Sequence, residues 1–254
     1  MEKSINDNTR LICLTHMPTG NGLVQPADLV GQIAKQKKVL YILDACQSIG
    51  QFPIDITKIQ CDFLCASGRK YLRSARGTGF LYIRRDLIKS LDLSFMDLNN
   101  IHWRDGEIIQ NTQNAQIFEF WETSKANQIV LGESIQYMLD IGISRIREQI
   151  DFIASSFRKR FHDFPKVNPK DEGRVKSGII TFNHSTIKTM NLYKELKKSF
   201  EVSMVKESFT HLSFKDRGID DDLIRVSVHY FNTRQEIELF FSELKRIEES
   251  FSSL

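Results

Sequence analysis

Lys70 lies in the stretch ASGRKYLRSARGTGF, residues 66–80, where Arg69, Lys70, Arg73 and Arg76 place four cations in eight positions. The run joins two apolar segments, DFLCA and GFLYI, that read as buried strands. Neighbouring cations disfavour the charged form of a lysine, and an amine that can lose its proton attacks carbonyl carbon. Arginines beside it suit a phosphate. Asp44 closes another apolar run, VLYILD, 26 residues earlier. Each residue also has a plain structural reading, Lys70 as part of a solvated basic loop and Asp44 as a turn or helix-capping aspartate.

Together the two point to an aldehyde cofactor such as pyridoxal phosphate. Such a cofactor needs a lysine to hold it and a carboxylate against its ring nitrogen, so that the ring can draw electrons. Gln47, three residues after Asp44, is placed to reach the ring's phenolic oxygen.

These residues also carry a resemblance. The segment LYILDACQSIGQFPIDITKIQCDFLCASGRKYLRSARGTGFLYI, residues 40–83, contains D-x-x-Q at a strand end, then S-x-x-K, then a G-x-G strand. It resembles the core of the class V aminotransferase family, which includes cysteine desulfurases and isopenicillin epimerase-like proteins of fold type I. THMPTGNGLVQP, SGIITF and RVSVHYFNTRQEI match further family segments, so the resemblance covers nearly the whole chain.

The resemblance implies a role for each matching position. Lys70 holds the cofactor covalently, Asp44 pairs with the pyridine nitrogen, and Gln47 meets the phenolic oxygen with His16 or Thr15 nearby. Ser67 binds the phosphate, and Arg69 stands where many relatives have histidine. Arg225 matches the arginine that grips a substrate carboxylate. In LIRVSV, Ile224, Val226 and Val228 share one strand face while Arg225 and Ser227 take the other, and a guanidinium fork fits a carboxylate bidentately. A surface arginine on a half-exposed strand is the plain alternative. Thr123 and Ser124 match, loosely, a phosphate contact to a partner subunit.

Two departures from the family shape the expectation. The chain begins at the strand carrying Thr15 and His16, so an N-terminal segment of the large domain is expected to be missing. That leaves a sheet edge or face in need of a partner. The region KESFTHLSFKDRGIDDDL has no cysteine where desulfurases carry their nucleophile. The expected activity is therefore transamination, epimerisation or lyase chemistry on a small amino acid or similar amine, and not cysteine desulfuration. The competing reading is a catalytically incomplete fragment, or a non-catalytic partner subunit of a split enzyme with the same fold. A homodimer, or pairing with the missing N-terminal half, is expected from the resemblance.

The elements that must position these groups follow α/β grammar. LICLT, VLYILD, a strand ending at DFLCAS and GTGFLYIRR alternate with a helix after Pro26. In such sheets ligands bind at the carboxyl ends of strands, where Thr15, His16, Asp44 and Ser67 all fall. Residues 97–122 read as a long irregular loop of functional or partner-contacting character. From about residue 126 a long helix keeps Ile143, Ile146, Ile150, Ile153 and Phe157 on one face. The last third reads as α+β, with a capping box from Asn232 and Gln235 opening the final helix. The expected division is an incomplete fold type I large domain with a mainly parallel sheet over 1–125, a connecting helical region over 126–160, and a small α+β domain over 161–254.

Composition excludes several classes. With 254 residues, 41% hydrophobic and 26% charged, the chain can bury a sizeable core. A net charge of +3 is too small, and the cations too local, for a nucleic-acid module. No run approaches a membrane span, and the polar opening MEKSINDNTR is unlike a signal peptide. Cys13, Cys46, Cys61 and Cys65 lie in apolar surroundings without metal-type spacing, and are expected to be buried thiols in a cytoplasmic protein.

Overall fold

The structure, a computed structural model, describes residues 2–91, 97, 101–110 and 114–252. It divides into two compact units. The first comprises residues 1–16, 26–50 and 54–140, and the second residues 17–25, 51–53 and 141–254.

In the first unit, β1 (Leu11–Thr15), β2 (Leu40–Asp44), β3 (Phe63–Ser67) and β4 (Gly79–Ile83) form one sheet in that order. β1–β2 and β2–β3 are parallel, and β3–β4 is antiparallel. Ile12, Leu14, Tyr41, Leu43, Leu64 and Ala66 alternate onto one face and are buried there. Against that face packs α1 (Ala27–Lys37), which buries Ala27, Val30, Gly31 and Ala34 at the three- and four-residue spacing of one helical stripe. α1 ends on Lys38 in the left-handed region, whose N–H returns to Ala34 and Lys35 carbonyls. The short α2 (Ile56–Ile59) is capped by Asp55, whose side chain accepts from the N–H groups of Thr57 and Lys58.

Gly31 is where α1 meets α2. A β-carbon there would lie 1.8 Å from the Ile59 backbone oxygen. Gly31→Ala is therefore expected to destabilise the chain by about 1–3 kcal/mol, although alanine is the better helix former by roughly 1 kcal/mol. Urea denaturation would show a lowered midpoint, and an unchanged or raised midpoint would contradict the close approach.

The opposite sheet face carries Cys13, Thr15, Ile42, Asp44, Phe63, Cys65 and Ser67, all exposed or half-buried. This corrects the expectation of four buried thiols. Cys13 is exposed, Cys46 and Cys65 are half-buried, and Cys61 alone of the four is buried. β4 is likewise exposed over Gly79–Leu81. An apolar run such as VLYILD does not reveal whether one face or both are covered.

The loop expected over 97–122 contains regular structure. β5 (Ile101–Arg104) and β6 (Glu107–Gln110) pair antiparallel across Asp105-Gly106, both at positive φ (53° and 85°). An Asp-Gly pair turning through φ > 0 is the signature of a two-residue hairpin. α3 (Lys125–Ile141) follows and buries none of its residues. The long helix expected from residue 126 is interrupted at Gly142, which takes φ 90° and separates α3 from α4.

The second unit holds α4 (Ile143–Arg160), β7 (Val167–Pro169), β8 (Ile179–His184), α5 (Thr189–Leu196), β9 (Ser203–Val205), α6 (Glu207–Asp216), β10 (Leu223–Ser227) and α7 (Arg234–Ser252). Its sheet runs β7-β8-β10-β9, every pairing antiparallel. Ile146, Ile150, Ile153 and Phe157 of α4 are buried, as the periodicity expected, while Ile143 is half-buried. Phe157 packs on Phe240 and Phe241 with ring centroids 4.9 and 4.8 Å apart. The capping box of α7 is formed one residue later than expected. Thr233 Oγ1 accepts from the Glu236 N–H at 3.2 Å, and Glu236 Oε2 accepts from the Thr233 N–H at 2.6 Å. Gln235 lies one position short of the N3 acceptor.

Candidate active site

The parallel strands of the first unit end together, and their ends carry the expected residues. The β1–β2 ladder runs through Thr15↔Asp44, and the His16 N–H then donates to the Asp44 carbonyl at 2.9 Å. β2–β3 pairs Asp44 with Cys65, and the Ala45 N–H donates to the Cys65 carbonyl at 2.9 Å. Thr15, His16, Asp44 and Ser67 thus sit on three adjacent strand ends.

Asp44 is fixed in orientation. Its Oδ1 accepts from the Cys46 N–H at 3.0 Å, and its Oδ2 accepts from Thr15 Oγ1 at 3.2 Å. The carboxylate is half-buried, and Gln47 lies half-buried in the turn that follows. His16 is buried.

Ser67 ends β3 opposite Gly79. A β-carbon on Gly79 would stand 2.4 Å from the Ala66 carbonyl oxygen, so glycine lets the two backbones approach where the phosphate residue is expected. Beyond Ser67 the chain turns, closed by the Ser74 N–H on the Gly68 carbonyl and the Arg73 N–H on the Lys70 carbonyl, both at 2.9 Å. Lys70 is half-buried within this turn, and Arg69 is exposed beside it. Arg73 places its guanidinium 5.8 Å from the centroid of the Tyr137 ring on α3, a cation–π contact. The Arg76 carbonyl accepts from Asn127 Nδ2 at 3.4 Å. These contacts tie the basic turn to α3. Ser124 Oγ accepts from the Asn127 N–H at 3.2 Å and caps α3, and Thr123 Oγ1 accepts from Gln128.

Arg225 belongs to the second unit. It lies on the central strand β10 between Thr181 and Ser203, half-buried, and donates to Thr19 Oγ1. Thr19 was not among the expected site residues. Its partner is 206 residues away, and a lone threonine in a turn gives no local sign of it.

The thiols near Asp44 are chemically quiet. Burial first, then the hydrogen bond to Asp44 and its charge, push Cys46 up to about 12, with Lys70 pulling weakly the other way. Burial and the Asp44 charge also raise Cys65, and burial raises Cys61 to about 11. At pH 8 Cys46 should alkylate about 1,000-fold more slowly than an ordinary cysteine, because the thiolate is the nucleophile. Iodoacetamide labelling followed by peptide mapping would read this, and Cys46 labelling at the rate of a free thiol would contradict it.

The donor set fits pyridoxal phosphate. An oriented carboxylate ends β2, a hydroxyl ends the neighbouring β3, and the turn after it carries a primary amine with an arginine next in sequence. Comparisons with known proteins agree. The chain belongs to the class V aminotransferase family, whose model matches residues 1–240. This membership indicates pyridoxal phosphate as the cofactor, and the fold is that of the fold type I enzymes.

A probable cysteine desulfurase of Methanothermobacter thermautotrophicus is 28% identical over 255 residues, covering 97% of this chain and 62% of that protein. The isopenicillin N epimerase of Amycolatopsis lactamdurans is 25% identical over 264 residues, covering 96% of this chain and 61% of that protein. Among solved structures, the cysteine desulfurase of Thermococcus onnurineus superposes with a TM-score of 0.89 at 24% identity, covering all of this chain and 62% of that one. The chain spans about three fifths of the length of these relatives.

The comparisons overturn the expectation that the chain is not a cysteine desulfurase. Several of its relatives carry that name, as does the structural neighbour. The absence of cysteine from KESFTHLSFKDRGIDDDL is thus not enough to carry the opposite expectation. In such enzymes the cofactor performs the bond chemistry, so one missing side chain does not exclude a substrate.

Proposed function

We propose that the chain carries the lysine-bearing part of a pyridoxal-phosphate-dependent enzyme that cleaves the carbon–sulfur bond of a cysteine-type amino acid. The observation that supports it most is that Asp44 and Ser67 close adjacent strands β2 and β3, with Lys70 in the turn that follows Ser67, in a chain several of whose relatives are named for that chemistry. When bound, the cofactor supplies an electron sink for bonds at the substrate's α-carbon.

The chain's own groups do the rest. The Lys70 amine would hold the cofactor and would move a proton to and from the substrate's α-carbon. The Asp44 carboxylate, held by Thr15 and the Cys46 N–H, would pair with the ring nitrogen and keep it protonated. Ser67 and Arg69 would hold the phosphate, and Gln47, with His16 or Thr15, would meet the ring's phenolic oxygen. Arg225, steadied by Thr19, takes the substrate carboxylate. A homodimer is the assembly that goes with this reading. Thr123 and Ser124 are then candidates for a phosphate contact to the partner.

The test is an amino-acid panel on the cofactor-loaded protein with a thiol reductant present. Sulfide release from cysteine or cystine supports the reading. Turnover confined to sulfur-free amino acids would replace it with transamination or epimerisation, and no turnover of any amino acid would favour a non-catalytic subunit.

A further inference from the structure

Two thiols share a small volume with Asp44, and cofactor chemistry does not call for them. Cys65 lies beside Asp44 in the β2–β3 register and Cys46 sits two residues beyond it. One ligand atom from each of Asp44, Cys46 and Cys65 lies within 4.8 Å of the other two. Cys65 Sγ stands 3.9 Å from Asp44 Oδ1. All three residues are half-buried, Asp44 and Cys65 on the open face of the sheet and Cys46 in the turn after β2.

From this geometry we propose a second use of the strand ends: a site for a thiophilic divalent cation, of the zinc type, held by Asp44, Cys46 and Cys65. A tetrahedral zinc centre has Zn–S bonds of about 2.3 Å and Zn–O bonds of about 2.0–2.2 Å, which places its ligand atoms roughly 3.5–3.8 Å apart. Small side-chain rotations bring the present spacing to that value. Two thiolates and a carboxylate are a ligand set that zinc prefers, and three protein ligands leave a fourth position open.

The surroundings supply the outer support that metal ligands need. Asp44 is oriented by Thr15 Oγ1 and the Cys46 N–H. A divalent cation offsets two of the three negative charges that the deprotonated ligands contribute. Thiols bind a metal as thiolates, so uptake should release protons and strengthen with pH. Asp44 serves both sites, so the cation and pyridoxal phosphate exclude one another.

Cobalt(II) titration of the reduced, cofactor-free chain tests this. One equivalent should give a thiolate-to-cobalt charge-transfer band that disappears in Cys46→Ser and in Cys65→Ser. Far-ultraviolet circular dichroism confirms that the variants fold. X-ray absorption of the zinc-loaded wild type, which needs no variant, should show two sulfur ligands. The proposal fails if no charge-transfer band forms, if the band survives in either serine variant, or if the zinc shell contains no sulfur. None of these readouts depends on cofactor binding or turnover, so failure here is distinguishable from failure of the proposed function.

Discussion

Asp171→Ala is expected to lower stability by about 3–5 kcal/mol, the usual cost of removing one member of a buried ion pair. The Asp171 side chain is 3% exposed and that of Arg158 18%. Asp171 Oδ2 accepts from Arg158 Nε at 2.7 Å, and its Oδ1 accepts from the Thr181 N–H at 2.7 Å and from Thr181 Oγ1 at 2.9 Å. Arg158 also donates through Nη2 to the carbonyls of Ser177 and Ile179, at 2.9 and 2.8 Å. One carboxylate thus satisfies a guanidinium, a backbone donor and a hydroxyl between α4 and β8. Removing it strands all three in a poorly solvated place. A domain's whole stability is about 5–15 kcal/mol, so the second unit should be largely unfolded at modest urea. Asp171→Asn keeps an acceptor for Thr181 and should cost less. A loss below about 1 kcal/mol for the alanine variant would contradict the account.

Lys70→Ala is expected to reduce turnover by at least 100–10,000-fold, the range for a general base in the transition state. The fall should be deeper if the covalent hold on the cofactor is lost with it. Lys70→Arg should not rescue it, because a guanidinium stays protonated and cannot attack carbonyl carbon. Thermal unfolding of Lys70→Ala should match the wild type, since the lysine sits half-buried in a surface turn. Retained activity in Lys70→Ala would remove the lysine from the chemistry.

Much of this site was readable before any coordinates. Asp44 and Ser67 close apolar runs, and a parallel sheet brings consecutive strand ends together. Lys70 follows Ser67 closely enough to be carried there. The face of each strand was harder to read. LYIL and FLCA are apolar, yet only alternate residues are covered, so Cys65 looked like core and proved to border Asp44 on the open face. Long-range partnerships left no local trace. Nothing in DEGR or SFRKR marks Asp171 and Arg158 as partners, and nothing near Thr19 points to Arg225. Other signals were present and outweighed. Asp105-Gly106 announced a hairpin inside a segment that its polarity made look irregular. At the start of α7 the pairs Asn232–Gln235 and Thr233–Glu236 have the same spacing, and the helix begins at Arg234, which makes Thr233 the cap and Glu236 its partner.

The central claim is that Lys70 is the covalent anchor for pyridoxal phosphate. Reduction with borohydride after mixing with the cofactor, followed by proteolysis and mass spectrometry, tests it most directly. The account predicts one pyridoxyl group per chain, on the peptide containing Lys70, and none at that position in Lys70→Ala. Label on other lysines with Lys70 unmodified, or no label at all, would contradict it.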